Sequence, residues 1–243
     1  TTTERILYNS GSTDTVGDVD RGNTVTDYLD QERDRGITIT SAAVTYNWRR
    51  HRVNLIDTPG HVDFTFEVER SLSVLDGAVT ILDASAGVEA QTTSVWNQAK
   101  KYDLPSVIFL NKCDKPQANV QMCMKELREN LEINTSLIQL PIKQESKLMS
   151  IIDLIDRNVI TWSLPETNNG SKYTIESLDH KNTDKRLLDD VDEARERLIH
   201  NLCDHDDYLA SHVIDCEKIR DVSGEQIRKA LRRVTINCKI SPV

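Results

Sequence analysis

The sequence lacks long apolar runs, paired cysteines and an excess of basic charge. No run approaches the ~18 apolar residues of a membrane-spanning helix, so we expect no membrane contact. The five cysteines are scattered, odd in number and without a C-x-x-C pair, which argues against a disulfide framework or a zinc site. A formal net charge of -9 argues against bulk attraction to nucleic acid, so any RNA contact must be local or made outside these residues.

Short apolar runs rich in β-branched residues are present instead, and they are typical of strands buried on both faces of a parallel sheet. These runs are 52–57, 78–83, 106–110 and 136–142. Apolar residues recur at helical spacing in 89–102 and 118–131. The alternation of strands and helices predicts an α/β fold with a doubly wound, mostly parallel sheet and right-handed crossovers.

Two other stretches differ in composition from this pattern. Residues 10–38 are rich in Gly, Asp, Thr and Arg, which predicts a long functional loop with helical character around 24–34. Residues 143–233 combine polar turns with a charged helical stretch, which predicts an inserted α+β subdomain. We therefore expect a core domain over 1–142, the insert over 143–233 and a return strand of the core over 234–243.

The first chain segment with a chemical signature is IDTPGH, residues 56–61, directly after an apolar run. Asp57 at the end of a strand can hold magnesium, usually through water. Gly60 lets a backbone N–H approach a terminal phosphate, because glycine has no Cβ in the way. His61 is placed to orient an attacking water. The alternative is a plain strand-to-loop turn, since D-T-P-G is favourable turn chemistry.

The second segment is FLNKCDK, residues 109–115, at the end of another apolar run. Asn111 and Asp114 offer an amide and a carboxylate at the carboxyl edge of a sheet, where open α/β folds bind ligands. A carboxylate accepts hydrogen bonds from N1–H and the 2-amino group of guanine, and adenine lacks that donor pair. The aliphatic stem of Lys112 can cover the base plane. N-K-x-D alone is a weak signal, but its position after D-T-P-G strengthens it.

The third segment is ERDRGITIT, residues 32–40. Thr38 can give its hydroxyl to magnesium and its backbone to a γ-phosphate, which orders a loop only when the triphosphate is present. By itself the segment is also typical of a solvated loop that enters a strand. At the start of the chain, Thr1 and Glu4 fit a capping box for a first helix.

Together these segments resemble the translational GTPases, specifically the elongation factor G family. The segments similar to the family's switch I, switch II and guanine-specificity segments are QERDRGITITSAA (31–43), HRVNLIDTPGHVDFTFEVERSLSVLDGAV (51–79) and FLNKCDK (109–115). The likeness is good over 1–142 and weakens over 143–233, where the family has its inserted G′ subdomain. RGNTVTDYLDQERDRGIT and DASAGVEAQT look more like the family's mitochondrial ribosome-releasing paralogue than the translocating one.

The resemblance implies a P-loop NTPase-type fold, GTP or GDP as ligand, magnesium as cofactor and GTP hydrolysis as activity. It implies that His61 is catalytic. The GTP-binding positions that it implies are Asp57, Thr58, Pro59, Gly60, His61, Asn111, Lys112, Cys113 and Asp114, with magnesium at Thr38 and Asp57. For the whole protein it implies a monomer in the mitochondrial matrix, with the mitochondrial ribosome and a ribosome-recycling factor as partners and RNA contact only through the ribosome.

Two of the family's segments do not occur in the 243 residues. They are the phosphate loop G-x-x-x-x-G-K-[ST] and the S-A-x-K segment that backs the guanine base. We therefore expect the first sheet strand and the phosphate-cradling amides to be missing. Because each lost charge-assisted hydrogen bond is worth ~1.5–3 kcal/mol, the chain alone should bind GTP weakly and hydrolyse it poorly.

Three alternatives to the ribosome-releasing role stay open. One is a translocating elongation factor G, and another is a different translational GTPase. The third, from another functional class, is a non-catalytic binding module derived from a GTPase. The intact D-T-P-G-H and N-K-C-D segments argue against this module, because a scaffold has no physical need of both.

Overall fold

The structure is a computed structural model that describes residues 2–17, 24–26, 29–35, 38–60, 62–144, 147–162, 172–178, 184–216 and 218–243. The chain divides into two compact units. The first contains Thr1–Leu75 and Ala90–Tyr102, and the second contains Asp76–Glu89 and Asp103–Val243. The predicted boundaries at 142 and 233 stay a prediction.

Among its described residues, the first unit has four α-helices and one strand pair. Its helices are α1 (Thr2–Asn9), α2 (Asp30–Arg35), α3 (Thr65–Leu72) and α4 (Ala90–Lys100), and a 3-10 helix spans Val62–Phe64. Its strands are β1 (Ala42–Trp48) and β2 (His51–Asp57). Among the described residues, the helical character expected around 24–34 is found in α2. Glu4, which was expected to cap α1, is a buried residue of α1.

The β1–β2 pair is an antiparallel hairpin, with Trp48 opposite His51 and Ala42 opposite Asp57. Its two turn residues, Arg49 and Arg50, both have left-handed backbones, at φ 43° and 68°. A two-residue turn of this kind matches the twist of antiparallel strands. The expected parallel pairing of 52–57 is therefore wrong among the described residues, because β2 follows β1 through a turn too short for a crossover.

The second unit contains the parallel strands. They are β3 (Ala78–Asp83) beside β4 (Ser106–Asn111), and β5 (Thr135–Ser136) beside β10 (Ser241–Pro242). The run at 136–142, predicted as one strand, divides between β5 and a later strand that begins at Gln139. The predicted return strand over 234–243 is shorter than expected, because Val234–Ile236 form the last turn of a helix.

An antiparallel sheet packed on helices forms the rest of the second unit. The sheet has the order β6 (Gln139–Gln144), β7 (Lys147–Asp153), β8 (Asn158–Trp162) and β9 (Tyr173–Ser177). Its helices are α5 (Val120–Asn130), α6 (Lys185–Cys203), α7 (Asp207–Asp215) and α8 (Gly224–Ile236), with a 3-10 helix at Ile219–Asp221. Buried side chains of β7, β8, α6 and α8 meet in one core, which includes Ile152, Leu198 and Ile227.

Two local features depart from the sequence-based expectation in this unit. The charged helical stretch is two helices, because the Asp206 side chain accepts a hydrogen bond from the Leu209 amide and starts α7 there. Strands β3 and β4 are not buried on both faces, since Val79 and Phe109 are 62% and 46% exposed. Among the described residues, no helix has the length and apolar character needed to cross a membrane.

Candidate functional site

The carboxyl ends of β3 and β4 bring the N-K-C-D segment to one edge of the second unit. The parallel register pairs Asp83 with Asn111, so the two strands end side by side. The Ala84 amide donates to the Asn111 carbonyl at 2.9 Å, so the hydrogen bonding between the two chain segments continues one residue beyond β3. Residues 111–114 therefore lie where open α/β sheets bind ligands, as predicted from the sequence.

The backbone turns sharply directly after β4. Lys112 adopts a left-handed conformation with φ 57°, and its amide donates to the Asn111 side-chain oxygen at 2.9 Å. The Lys115 amide closes the turn by donating to the Lys112 carbonyl at 3.1 Å. Asp114 is exposed at this turn, and in the described part of the chain its carboxylate has no hydrogen bond or ion pair. A carboxylate that is accessible and unpaired can accept hydrogen bonds from a ligand.

Cys113 contributes to the turn differently from its neighbours. Its thiol is half-buried and lies 3.4 Å from the Leu110 carbonyl. Burial raises the pKa of this thiol, so it stays protonated at neutral pH. The side chain therefore anchors the turn to β4, which leaves the backbone of Cys113 as the part available to a ligand.

Asp83 belongs to this edge of the sheet and was not identified from the sequence. One of its carboxylate oxygens lies 3.0 Å from the Lys112 ammonium and 2.9 Å from the Lys115 ammonium. The other accepts hydrogen bonds from the Ser85 hydroxyl and amide, at 2.6 and 2.9 Å. The available signal was an Asp at the end of AVTILD, one strand away from N-K-C-D.

The D-T-P-G-H segment follows β2 in the first unit. Asp57, the last residue of β2, and Thr58 are half-buried, whereas Pro59 is buried. Gly60 is exposed, and a Cβ added there would meet no atom within 4 Å, so open space adjoins its backbone. His61 lies outside the described residues. The described part of this segment is therefore open to a ligand on the side of Gly60.

A buried carboxylate holds the segment that contains Thr38. Glu32, in α2, is fully buried, and one carboxylate oxygen accepts hydrogen bonds from the Ile39 and Thr40 amides at 2.9 and 3.0 Å. The other oxygen accepts from the Leu29 amide at 3.0 Å. The residues that follow Thr38 are therefore fixed to α2. In the sequence, Glu32 is distinguished only as part of a charge run.

A second buried carboxylate acts in the same way at the start of the loop. Glu4 is fully buried, and its side chain accepts from the Val25 amide at 2.7 Å and the Gly17 amide at 3.2 Å. The Glu4 carboxylate therefore holds Gly17 and Val25 to α1, and its expected capping role stays a prediction. Thr1, the other half of that capping box, lies outside the described residues.

The hydrogen bonds to Glu32 predict a pH-sensitive loop. Burial alone would raise the pKa of Glu32, but hydrogen bonds from Thr40, Leu29 and Ile39 hold the pKa below its ordinary value of 4.5. The stabilisation is therefore fully present above pH 4.5 and is lost as the pH falls through the lowered pKa of the folded state. Replacing Glu32 by glutamine should lower the free energy of local opening of this segment by about 2 kcal/mol. The exchange rate of the Ile39 and Thr40 amides should then rise about 30-fold at pH 7.

Hydrogen exchange measured residue by residue checks this prediction, with Glu69→Gln as control because Glu69 is exposed on α3 of the same unit. Equal exchange rates of the Ile39 and Thr40 amides in the unsubstituted chain and in Glu32→Gln would show that the Glu32 carboxylate does not hold this segment.

Two residues of the first unit, Thr38 and Asp57, carry side-chain oxygens of the kind that magnesium binds. The Thr38 hydroxyl and Asp57 carboxylate are the kind of ligand that magnesium prefers. Within the residues that the structure describes, no group of three or more His, Cys, Asp or Glu could hold a metal ion. Hydroxyl and carboxylate oxygens suit magnesium, and the site expected at Thr38 and Asp57 stays a prediction.

Comparisons with known proteins agree with this geometry. Residues 1–197 match the family described as elongation factor Tu GTP binding domain. The whole chain is 49% identical to ribosome-releasing factor 2, mitochondrial, of Drosophila ananassae and 50% identical to that of Danio rerio, and it covers 32% of each relative. The chain therefore spans about a third of the length of these relatives.

A solved structure gives the same picture of the fold. A crystal structure of a protein from Thermus thermophilus superposes with a TM-score of 0.84 at 25% sequence identity. The superposition covers 99% of this chain and 34% of that chain. The α/β fold with parallel sheet elements, predicted from the sequence, is thereby confirmed as that of a GTP-binding domain.

Proposed function

Because the chain belongs to the family of elongation factor Tu GTP-binding domains, we propose that it is the guanine-nucleotide domain of a ribosome-dependent GTPase. The observation that carries the proposal is the turn after β4, where Asp114 presents an exposed carboxylate at the carboxyl edge of two parallel strands. That carboxylate can accept from N1–H and the 2-amino group of guanine, a pair of donors that adenine lacks.

In this proposal each segment has a separate task. Asn111, Lys112 and Asp114 hold guanine, and Cys113 contributes its backbone. Thr58, Pro59 and Gly60 lie at the phosphates, where the open backbone of Gly60 admits a terminal phosphate. Magnesium, when bound, neutralises charge on the phosphates, and Thr38 and Asp57 hold it. His61 is the catalytic residue, which orients the attacking water.

The role of the whole protein is a further step in the same proposal. The name ribosome-releasing factor 2, mitochondrial, of the relatives supports ribosome recycling after termination in mitochondria. The partners would be the mitochondrial ribosome and a ribosome-recycling factor, with RNA contact only through the ribosome. The full-length protein would be a monomer of the mitochondrial matrix. A translocating elongation factor G is the second candidate, favoured only by the general likeness to that family.

The 243-residue chain by itself is proposed to bind GTP weakly and to be a poor GTPase. It contains no G-x-x-x-x-G-K-[ST] segment, whose amides and Lys would donate several charge-assisted hydrogen bonds to the phosphates. Each such bond is worth ~1.5–3 kcal/mol, and ~1.4 kcal/mol corresponds to tenfold in affinity.

Isothermal titration tests the proposal on two proteins, this chain and the full-length protein that carries it. The full-length protein should bind GTP and GDP and not ATP, whereas the chain should bind GTP far more weakly. Micromolar or tighter binding of GTP by the chain would contradict its proposed deficiency. Equal affinity of the full-length protein for GTP and ATP would contradict a guanine site.

A further inference from the structure

The Asp83 carboxylate contacts Ser85 and the two lysines of the turn after β4. Its side chain is only 20% exposed, and one carboxylate oxygen meets both the Lys112 and Lys115 ammonium groups within 3.0 Å. Hydrogen bonds from the Ser85 hydroxyl and Lys115 hold the pKa of this carboxyl well below its usual range. Asp83 is therefore a fixed negative charge beneath the turn at neutral pH.

The two lysines that Asp83 binds have different surroundings. The Lys115 side chain is held a second time, because its ammonium also donates to the Ser85 hydroxyl at 3.3 Å. Lys112 has no such second anchor among the described residues, and its side chain is 52% exposed. The position of the Lys112 side chain therefore depends on Asp83 more than the position of Lys115 does.

We propose that Asp83 is a positioning residue of the guanine site, which holds the Lys112 side chain in the place where its aliphatic stem covers the base. The inference rests on the proposed function. A lysine side chain loses considerable rotamer freedom when it is ordered. Asp83 supplies that order before the nucleotide arrives, so the ordering no longer weakens binding. Asp114 reads the edge of the base, and Lys112 covers its face.

A double-mutant cycle in the full-length protein separates positioning from a merely structural role. Asp83→Asn keeps the shape of the side chain and removes its charge. It should speed dissociation of fluorescent GDP about 10-fold in the unsubstituted background, by the loss of one charge-assisted contact. In the Lys112→Met background, where no ammonium remains to be positioned, the same substitution should change the rate less than about 2-fold.

Two further variants complete the cycle. In the Lys115→Met background Asp83→Asn should still speed dissociation about 10-fold, because Lys112 is still present. Asp76→Asn, an exposed carboxylate of the same unit, should leave the rate unchanged. Thermal unfolding of each variant shows whether the protein is folded.

The outcomes also separate this inference from the proposed function. Failure of the unsubstituted full-length protein to bind GDP would overturn both. Normal GDP binding with an Asp83→Asn rate within about 2-fold of the unsubstituted rate would overturn only the role of Asp83. An equal effect of Asp83→Asn with Lys112 and in the Lys112→Met background would assign Asp83 to the stability of the turn, and would also overturn the inference.

Discussion

Replacing Asp114 by asparagine in the full-length protein is expected to lower the affinity for GTP by about 10²- to 10⁴-fold. The Asp114 carboxylate is proposed to accept two hydrogen bonds from guanine, and each bond to a charged group is worth about 1.5–3 kcal/mol. The structure leaves this carboxylate exposed at the turn after β4, whereas Asp83 at the same edge is fully occupied by Lys112, Lys115 and Ser85.

The same substitution should create a new preference. Xanthine carries a 2-oxo group where guanine has its 2-amino group. An asparagine amide can accept from N1–H and donate to that oxygen, so xanthosine triphosphate should bind Asp114→Asn more tightly than GTP does. A gain of affinity for one nucleotide cannot come from unfolding, which makes the exchange of preference more informative than the loss alone.

Competition between the two nucleotides for the full-length protein measures this exchange. Glu129→Gln is the matched control, because Glu129 is an exposed carboxylate on α5 of the same unit. It should leave both affinities unchanged. GTP affinity in Asp114→Asn within about 3-fold of the unsubstituted protein would remove Asp114 from the guanine site.

Replacement of Arg195, in the core of the second unit, is expected to lower the free energy of unfolding strongly. Arg195 is 4% exposed, and its guanidinium donates to the carbonyls of Leu154, Ile155 and Val222 at 2.5, 2.5 and 2.6 Å. Burial lowers the pKa of Arg195, but arginine remains charged at neutral pH. One side chain of α6 therefore connects Leu154 and Ile155, in the turn after β7, to Val222, which lies two positions before α8.

Replacing Arg195 by leucine should lower the free energy of unfolding by about 3–5 kcal/mol, because the substitution leaves three buried carbonyls without their donors. Urea unfolding followed by circular dichroism measures the loss, and Arg195→Lys, which keeps a donor, should lose less.

Arg197→Leu is the control on the same helix, since the Arg197 side chain is 67% exposed and pairs only with Glu193 among the described residues. Its unfolding free energy should change by less than about 1 kcal/mol. A similar small change for Arg195→Leu would show that these hydrogen bonds are not what holds the core together.

The strands that carry the site were predictable, because their apolar runs end in residues with clear chemistry. Strand β3 ends at Asp83 and β4 at Asn111, as the runs at 78–83 and 106–110 indicated. Strand β1 was not predicted, since AAVTYNW mixes polar and apolar residues. The hairpin turn was equally hidden, because Arg49 and Arg50 occupy positions where Asn or Gly is the usual signal.

The contacts that hold the site in place were not predictable from sequence spacing. Glu32 accepts from amides of Ile39 and Thr40, and Asp83 meets Lys115, which lies 32 positions away in the sequence. A carboxylate in a charge run looks the same in the sequence whether it faces water or folds back on the chain. The pairing depends on the register of β3 with β4 and on the burial of α2, which only the structure provides.

Turnover of GTP by the full-length protein, measured with and without mitochondrial ribosomes, tests whether the protein is a ribosome-dependent GTPase. Ribosomes should speed hydrolysis of GTP and leave ATP untouched. The His61→Ala variant should keep its affinity for GTP and lose the stimulated turnover, because the attacking water is no longer oriented. Turnover that ribosomes do not change, or equal turnover of GTP and ATP, would contradict a ribosome-dependent GTPase. Unchanged stimulation in His61→Ala would contradict the role assigned to His61.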